Sequence, residues 1–165
     1  MPPIRSLDPV ADADAVTDLY RRAADYVLLE TGLPPTAAET RAFFTDAPPG
    51  GDPQTSLKLG LFLPDGQLAA IADLGFGFPE PDDAYIGLML IDAAHRNRGL
   101  GARLLDHIIA EARARHAPRL LLAVLEDNPR GRAFWERMGF REVLKTPPAR
   151  LGLKTHVRYR MARRL

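Results

Sequence analysis

The sequence predicts an α+β fold: helices around a mixed, mostly antiparallel sheet with one parallel strand pair. Three observations predict it. Apolar runs of strand length alternate with amphipathic helical stretches. Pro64-Asp65-Gly66 between two apolar runs signals an antiparallel hairpin. A strand–helix–strand step over residues 85–125 requires one parallel crossover, and the tail returns to antiparallel strands.

The elements follow in order. Ile4 to Leu7 reads as a first strand. Asp12 to Glu30 reads as one helix, with Val16, Leu19, Tyr20, Ala23, Val27 and Leu28 near helical spacing. Gly32-Leu33-Pro34-Pro35 ends it, and Thr36 with Glu39 makes a capping box for a short helix through Phe43 and Phe44. Residues 47–53 read as a loop with no apolar anchor. Ser56 to Leu63 and Gln67 to Phe76 form the hairpin strands. Tyr85 to Ile91 is nearly all apolar, which predicts a central strand covered on both faces. Gly101 to His116 is a helix with Leu104, Leu105, Ile108, Ile109 and Ala112 on one stripe. Leu120 to Leu125 is a second buried strand. Asn128-Pro129 opens another helix, as N-cap and first helical residue, and Gly139 closes it with Phe140 packing back. Phe140 to Leu144 and Thr155 to Met161 are expected to pair as a closing hairpin.

Composition narrows the function. The 165 residues, 46% hydrophobic and 26% charged, suit one globular domain. There is no cysteine, which removes disulfides and thiolate metal sites and fits a cytoplasmic protein. His95, His107, His116 and His156 show no metal-ligand spacing, so no metal is expected. The longest apolar run, Leu120 to Leu125, is too short to cross a bilayer, and the first five residues lack a signal-peptide core. Residues 1–95 hold five Lys/Arg and fifteen Asp/Glu, whereas residues 96–165 hold seventeen and six. This asymmetry is either an unevenly solvated surface or a basic side for a polyanion and an acidic side for a cation. Nucleic acid fits poorly, because the arginines lack aromatic interleaving or a module signature.

The chemistry concentrates in Arg96-Asn97-Arg98-Gly99-Leu100-Gly101. It leads from an apolar strand into a helix. The first N–H groups of a helix have no intrahelical partner, and the dipole there favours anions. Glycine allows close approach of a phosphate to the backbone, and two arginines add charge. A Walker A ending is absent, and leucine stands where a dinucleotide fingerprint needs its third glycine.

Arg96-x-x-Gly99-x-Gly101 resembles the acetyl-CoA loop of the GCN5-related N-acetyltransferase (GNAT) superfamily. Asn128-Pro129-Arg130-Gly131-Arg132-Ala133-Phe134-Trp135-Glu136-Arg137-Met138-Gly139-Phe140 resembles its second block, at the usual separation. The resemblance implies the acyl-CoA N-acyltransferase fold, a three-layer α/β/α arrangement whose fourth strand is bulged and splays from the fifth. It implies one domain over residues 1–165, with cofactor blocks at 85–116 and 120–143 and an acceptor-side segment at about 10–55. Main-chain groups of Met89, Leu90 and Ile91 would pair with the pantetheine arm. Amides from Arg96 through Asn97, Arg98, Gly99, Leu100 and Gly101 to Ala102 would hold the pyrophosphate. Asn128 would reach the pantetheine, and Phe134 and Trp135 would line the thiol end. Asn128 also reads as a plain helix cap, and Phe134 and Trp135 as core.

The implied activity is acetyl transfer from acetyl-CoA to a primary amine by direct attack in a ternary complex, with an oxyanion donor expected at a backbone N–H near Met89. The family often has tyrosine, the acid for the thiolate, where this chain has Trp135. Indole is no practical acid. Tyr85, Tyr159 and His156 are substitutes to weigh. A glutamate base seen in relatives would fall near Ala123, and a proline common before the loop is Ala93. Asp73 interrupts an apolar strand and is the candidate base, although a local partner would also explain it. Glu126 and Asp127 read as a solvated strand end. The acceptor side, with Glu30, Glu39, Asp46, Glu80, Asp82 and Asp83 beside Tyr26, Phe43, Phe44 and Phe78, suits a cationic amine. A catalytically quiet acyl-CoA sensor is the alternative, and a homodimer is left open.

Overall fold

The computed structural model describes residues 3–165. Its elements are β1 (Ile4–Ser6), α1 (Ala13–Arg22), α2 (Ala24–Thr31), α3 (Ala37–Thr45), β2 (Leu57–Phe62), β3 (Leu68–Phe76), β4 (Ala84–Ile91), α4 (Leu100–Ala114), β5 (Arg119–Leu125), α5 (Pro129–Arg137), β6 (Arg141–Lys145), β7 (Ala149–Leu151), β8 (Lys154–His156) and β9 (Arg158–Arg164). Seven strands form one sheet in the order β1-β2-β3-β4-β5-β9-β6. Only β4 and β5 are parallel; the other neighbours are antiparallel.

Two apolar clusters sandwich the sheet. Leu104, Leu105, Ile108, Ile109 and Ala112 of α4 pack with Trp135 and Phe140 against Ala70, Ala72, Leu74 and Ile86. Val16, Leu19 and Tyr20 of α1, Val27 of α2 and Phe43 of α3 cover the other face against Leu68, Ile71 and Leu90. This is the three-layer arrangement expected. The capping box of α3 forms as read: the Glu39 carboxylate accepts from the Thr36 N–H at 2.6 Å.

Four expectations are corrected. The helix read over 12–30 is two helices, because Ala23 leaves helical geometry at ψ +30° between α1 and α2. Its apolar spacing continues across the break, so periodicity alone could not locate it. The loop at 47–53 does have an anchor, since Pro48 is buried against Gly75, where a Cβ would lie 2.4 Å from its ring. The strand buried on both faces is β3, not β4: Leu68 to Gly75 are all buried, whereas Leu88 and Met89 of β4 are only half-buried. The closing strand read over 155–161 divides at Val157. Lys154–His156 pairs with Ala149–Leu151 in a separate ribbon, and β9 alone joins the sheet between β5 and β6.

Candidate active site

Strands β4 and β5 pair only over Ala84–Ile86 and Leu120–Leu122. Past that point the register with β3 steps from Leu74↔Ile86 to Asp73↔Leu88, leaving Gly87 as an extra residue. Such a bulge bends its strand and increases local twist. The two strands part, and a cavity of about 920 Å³ opens between them. Gly87 to Ile91, Leu122 to Leu125, the start of α4 and one side of α5 line it. This explains the incomplete burial of β4: Leu88, Met89 and Ile91 pack on the helix-covered clusters and also line the slot.

The polar groups of β4 point in a definite direction. The Asp92 N–H donates to the Ala69 carbonyl at 2.8 Å, so backbone groups at Asp92 and Leu90 turn toward β3. Alternation then turns the N–H and C=O of Met89 and Ile91 toward the slot. The Ile91 carbonyl already accepts from Arg96 Nε at 3.3 Å.

At the start of α4, Gly99 sits in the left-handed region at φ +79° and Asn97 at φ +61°. Gly99 supplies no side-chain cap. The first intrahelical bond runs from the Arg103 N–H to the Gly99 carbonyl at 3.1 Å, so the N–H groups of Leu100, Gly101 and Ala102 have no backbone acceptor among the described residues. A Cβ on Gly101 would lie 3.2 Å from Phe134 Cζ and 3.7 Å from Met89 Cε. Uncapped donors beside a glycine that keeps the passage open are a fit for a diphosphate joined to a narrow arm.

The arginines of the loop divide. Arg96 is engaged by Asp25 of α2, with Nη2 at 2.9 Å from Oδ1. Arg98 is exposed and makes no ion pair among the described residues. Arg130 and Arg137 of α5 also line the slot, which sequence reasoning missed. It also missed Asp92, which pairs with Arg22 of α1 and accepts from the Ala94 N–H at 3.0 Å. Burial pushes the Asp92 carboxyl up, but the Ala94 N–H and Arg22 outweigh it and hold it below its ordinary value. A buried Asp just after an apolar strand was the available signal.

On α5, Asn128 Oδ1 accepts from the Gly131 N–H at 3.0 Å, so it is a helix cap that also borders the slot. A Cβ on Gly131 would lie 2.5 Å from Asn128 Nδ2, so this rotamer requires that glycine. Trp135 is buried and meets Phe134 and Phe140 edge-on at 4.9 and 5.3 Å. Phe134 and Trp135 therefore both pack on the core and line the slot.

A second cavity, about 440 Å³, lies on the α1–α3 side. It shares Tyr26, Gly87, Leu88, Ala123 and Leu125 with the slot, so the two meet where β4 parts from β5. Asp73 lines it and pairs with Lys58 at 2.8 Å, both side chains buried. Lys58 Nζ also donates to the Asp46 carbonyl at 2.7 Å. Burial raises the Asp73 carboxyl above its ordinary value, against the opposing pull of Lys58. Asp73 Oδ2 would be 2.9 Å from a Cβ at Gly87, which aims the carboxylate at the bulge.

Among the other candidates, Glu30, Glu39 and Asp46 line the second cavity with Tyr26, Phe43, Phe78 and Tyr85. Asp83 does not: it is buried in a two-point bond with Arg119 at 2.9 and 2.7 Å. Glu80, Asp82 and Phe44 border neither cavity. Tyr159 donates to Glu126 at 2.7 Å, and Glu126 also holds Lys145 at 2.9 Å. His156 Nε2 lies 2.7 Å from the Glu30 carbonyl. Neither Tyr159 nor His156 borders either of these cavities, while Tyr85 lines the second one and stacks edge-on with Phe78 at 5.0 Å. Ala123 borders both cavities and brings no carboxylate there. No cluster of metal-ligating side chains occurs among the described residues, and no helix of the structure is long and apolar enough to cross a membrane.

Known proteins resemble this arrangement. The family model described as the acetyltransferase (GNAT) family matches residues 15–140. N-alpha-acetyltransferase 40 of Saccharomyces cerevisiae is 32% identical over 82 residues, 46% of this chain and 29% of that protein. Mycothiol acetyltransferase of Beutenbergia cavernae is 34% identical over 85 residues, 52% of this chain and 29% of that protein. The matches thus span under a third of either relative's length. An acetyltransferase from Thermus thermophilus superposes with a TM-score of 0.78 at 25% identity, covering 99% of this chain and 96% of that one.

Proposed function

This chain belongs to the acetyltransferase (GNAT) family, and on that premise we propose that it transfers an acetyl group from acetyl-CoA to a primary amine of a small molecule or peptide. One observation carries the reading: an uncapped helix start at the mouth of a slot that meets a second, carboxylate-lined cavity at the Gly87 bulge. We read residues 1–165 as a single transferase domain acting by direct attack in a ternary complex.

Bound acetyl-CoA would supply an acetyl thioester. The N–H groups of Leu100, Gly101 and Ala102 hold its diphosphate at the helix start, with Asn97, Gly99 and Arg98 around them. Arg96 fixes the loop through Asp25. Met89, Leu90 and Ile91 border the arm, and Asn128, Phe134 and Trp135 close the slot at the thiol end. The Met89 N–H is the donor for negative charge that develops on the carbonyl oxygen. Asp73 accepts the proton that the attacking ammonium must lose, since an alkyl ammonium with a pKa near 10 is no nucleophile at neutral pH. The amine nitrogen bonds to the carbonyl carbon, the carbon–sulfur bond breaks, and the second proton that the nitrogen sheds passes through water to the departing thiolate. Trp135 has no acidic proton for that step.

Trp135 also favours a second reading, a quiet acyl-CoA sensor. Thiol release on a broad amine panel separates the two. Acetyl-dependent turnover upholds the transferase, and cofactor binding without turnover supports the sensor.

A further inference from the structure

The acidic wall is only half of the acceptor cavity. Arg158 and Arg160 line it as well, on β9 opposite Leu125 and Ala123, so both alternate onto the face where the two cavities meet. Their Nε atoms are shut off from solvent yet have no hydrogen-bond partner, and neither guanidinium has a carboxylate within ion-pair reach among the described residues. Both residues are half-buried, in a chain whose buried charges are matched. Asp73 has Lys58, Asp83 has Arg119 and Asp92 has Arg22. Arg160 lies over the Phe78 ring, 4.9 Å from its centroid, which supplies no anion. A buried donor left unpaired keeps its desolvation penalty without a compensating bond, so two together mark the place of a missing acceptor.

Tyr20 lies beneath burial and the field of Glu30, Glu39, Asp46 and Asp73, which keep its phenol protonated. Tyr85 feels burial opposed by Arg160 and Arg158. One cavity thus holds carboxylates and guanidiniums together, with Glu30 and Arg158 both acting on Tyr26 and the Gly87 gap beside them. A polyamine would be repelled by the guanidiniums, and an amine without an anion would leave them unpaired.

We propose that the acceptor is a small zwitterion, whose oxyanion group is held by Arg158 and Arg160 while its amine is presented toward Asp73 at the Gly87 gap. Amino acids and aminoalkylphosphonates share this chemistry. The proposal rests on the transferase reading and names its substrate class. Arginine suits the role, because its planar fork pairs two-point with a carboxylate or phosphonate.

The test uses matched compounds: the L-amino acids, their carboxamides, and the corresponding aminoalkylphosphonates. Thiol release from acetyl-CoA is measured for each, and binding of each to the protein with coenzyme A present is measured by calorimetry. At least a tenfold higher kcat/KM, or tenfold tighter binding, for an acid over its amide is expected. The better of carboxylate and phosphonate identifies the oxyanion. Arg160→Gln and Arg158→Gln should each erase that preference while acetyl-CoA affinity stays within threefold. Amides equal to or better than acids, or no binding or turnover of any acid, would overturn the proposal. These outcomes leave the transferase reading standing if an amine without an anion is acetylated. Acid-selective binding without any thiol release would uphold the zwitterion site and overturn the transferase reading.

Discussion

Asp73 and Gly87 act as a pair. The carboxylate is buried on Lys58, aimed at a residue that has no Cβ to block it. A base works in its ionised form, and burial raises the Asp73 carboxyl. The rate should therefore fall as pH drops through a value above the usual carboxylate range, with Lys58, Asp46 and Tyr20 as the facing groups. Asp73→Asn should lower kcat by about 10²–10⁴-fold and remove this acid limb from the pH profile. A limb that survives in the variant would assign the base elsewhere. Gly87→Ala should lower kcat while leaving acetyl-CoA affinity nearly unchanged, because its Cβ displaces the carboxylate and not the diphosphate. Asp73 could be singled out in the sequence, as a charge inside an apolar run. Its partner could not: Lys58 lies fifteen residues away on the neighbouring strand, opposite it in register. Gly87 was equally hidden, because a bulge is a property of two strands together.

On the proposed reading, the start of α4 is the element that carries binding. Gly101→Val should press on Phe134 and Met89, weaken acetyl-CoA binding at least tenfold and shift the melting temperature by only a few degrees. Titration calorimetry beside thermal melts checks both halves. This loop was legible because its chemistry is local: glycine, position after a strand, and helix onset all lie within six residues. The clamp beneath it was not, because Asp92 is held by Arg22 from the far end of α1. Asp92→Asn should cost about 2–3 kcal/mol at pH 7, since Arg22 would keep only the exposed Asp18 as an anion. The sign of the pH effect follows from the lowered Asp92 carboxyl. Its contribution is present above the unfolded value of about 3.9 and is lost as pH falls through the lower folded value. Urea melts of the variant should therefore approach wild type at low pH; a constant difference would place the loss in packing. The closing strands were legible in existence but not in pairing. Their apolar pattern does not say that Val157 separates a small ribbon from the sheet.

At the scale of the molecule, the sign change in charge between residues 1–95 and 96–165 acquires a geometry. Arg96, Arg130 and Arg137 line the slot, while Glu30, Glu39 and Asp46 line the second cavity. Exposed cations attract a polyanion over about 8–10 Å at physiological salt, so the KM for acetyl-CoA should rise as ionic strength rises. The fold places these two fields on opposite sides of one gap between parallel strands. That topology was readable from the strand–helix–strand order, whereas the arginines of β9 entered the acceptor cavity unannounced, since their neighbours across the ladder were unknown. The central claim is that the slot takes acetyl-CoA. Titration calorimetry of the intact protein with acetyl-CoA tests it most directly. Saturable binding of one molecule per chain, lost in Gly101→Val, is the result this account predicts. Absence of binding at high micromolar acetyl-CoA, or equal affinity in the variant, would contradict it.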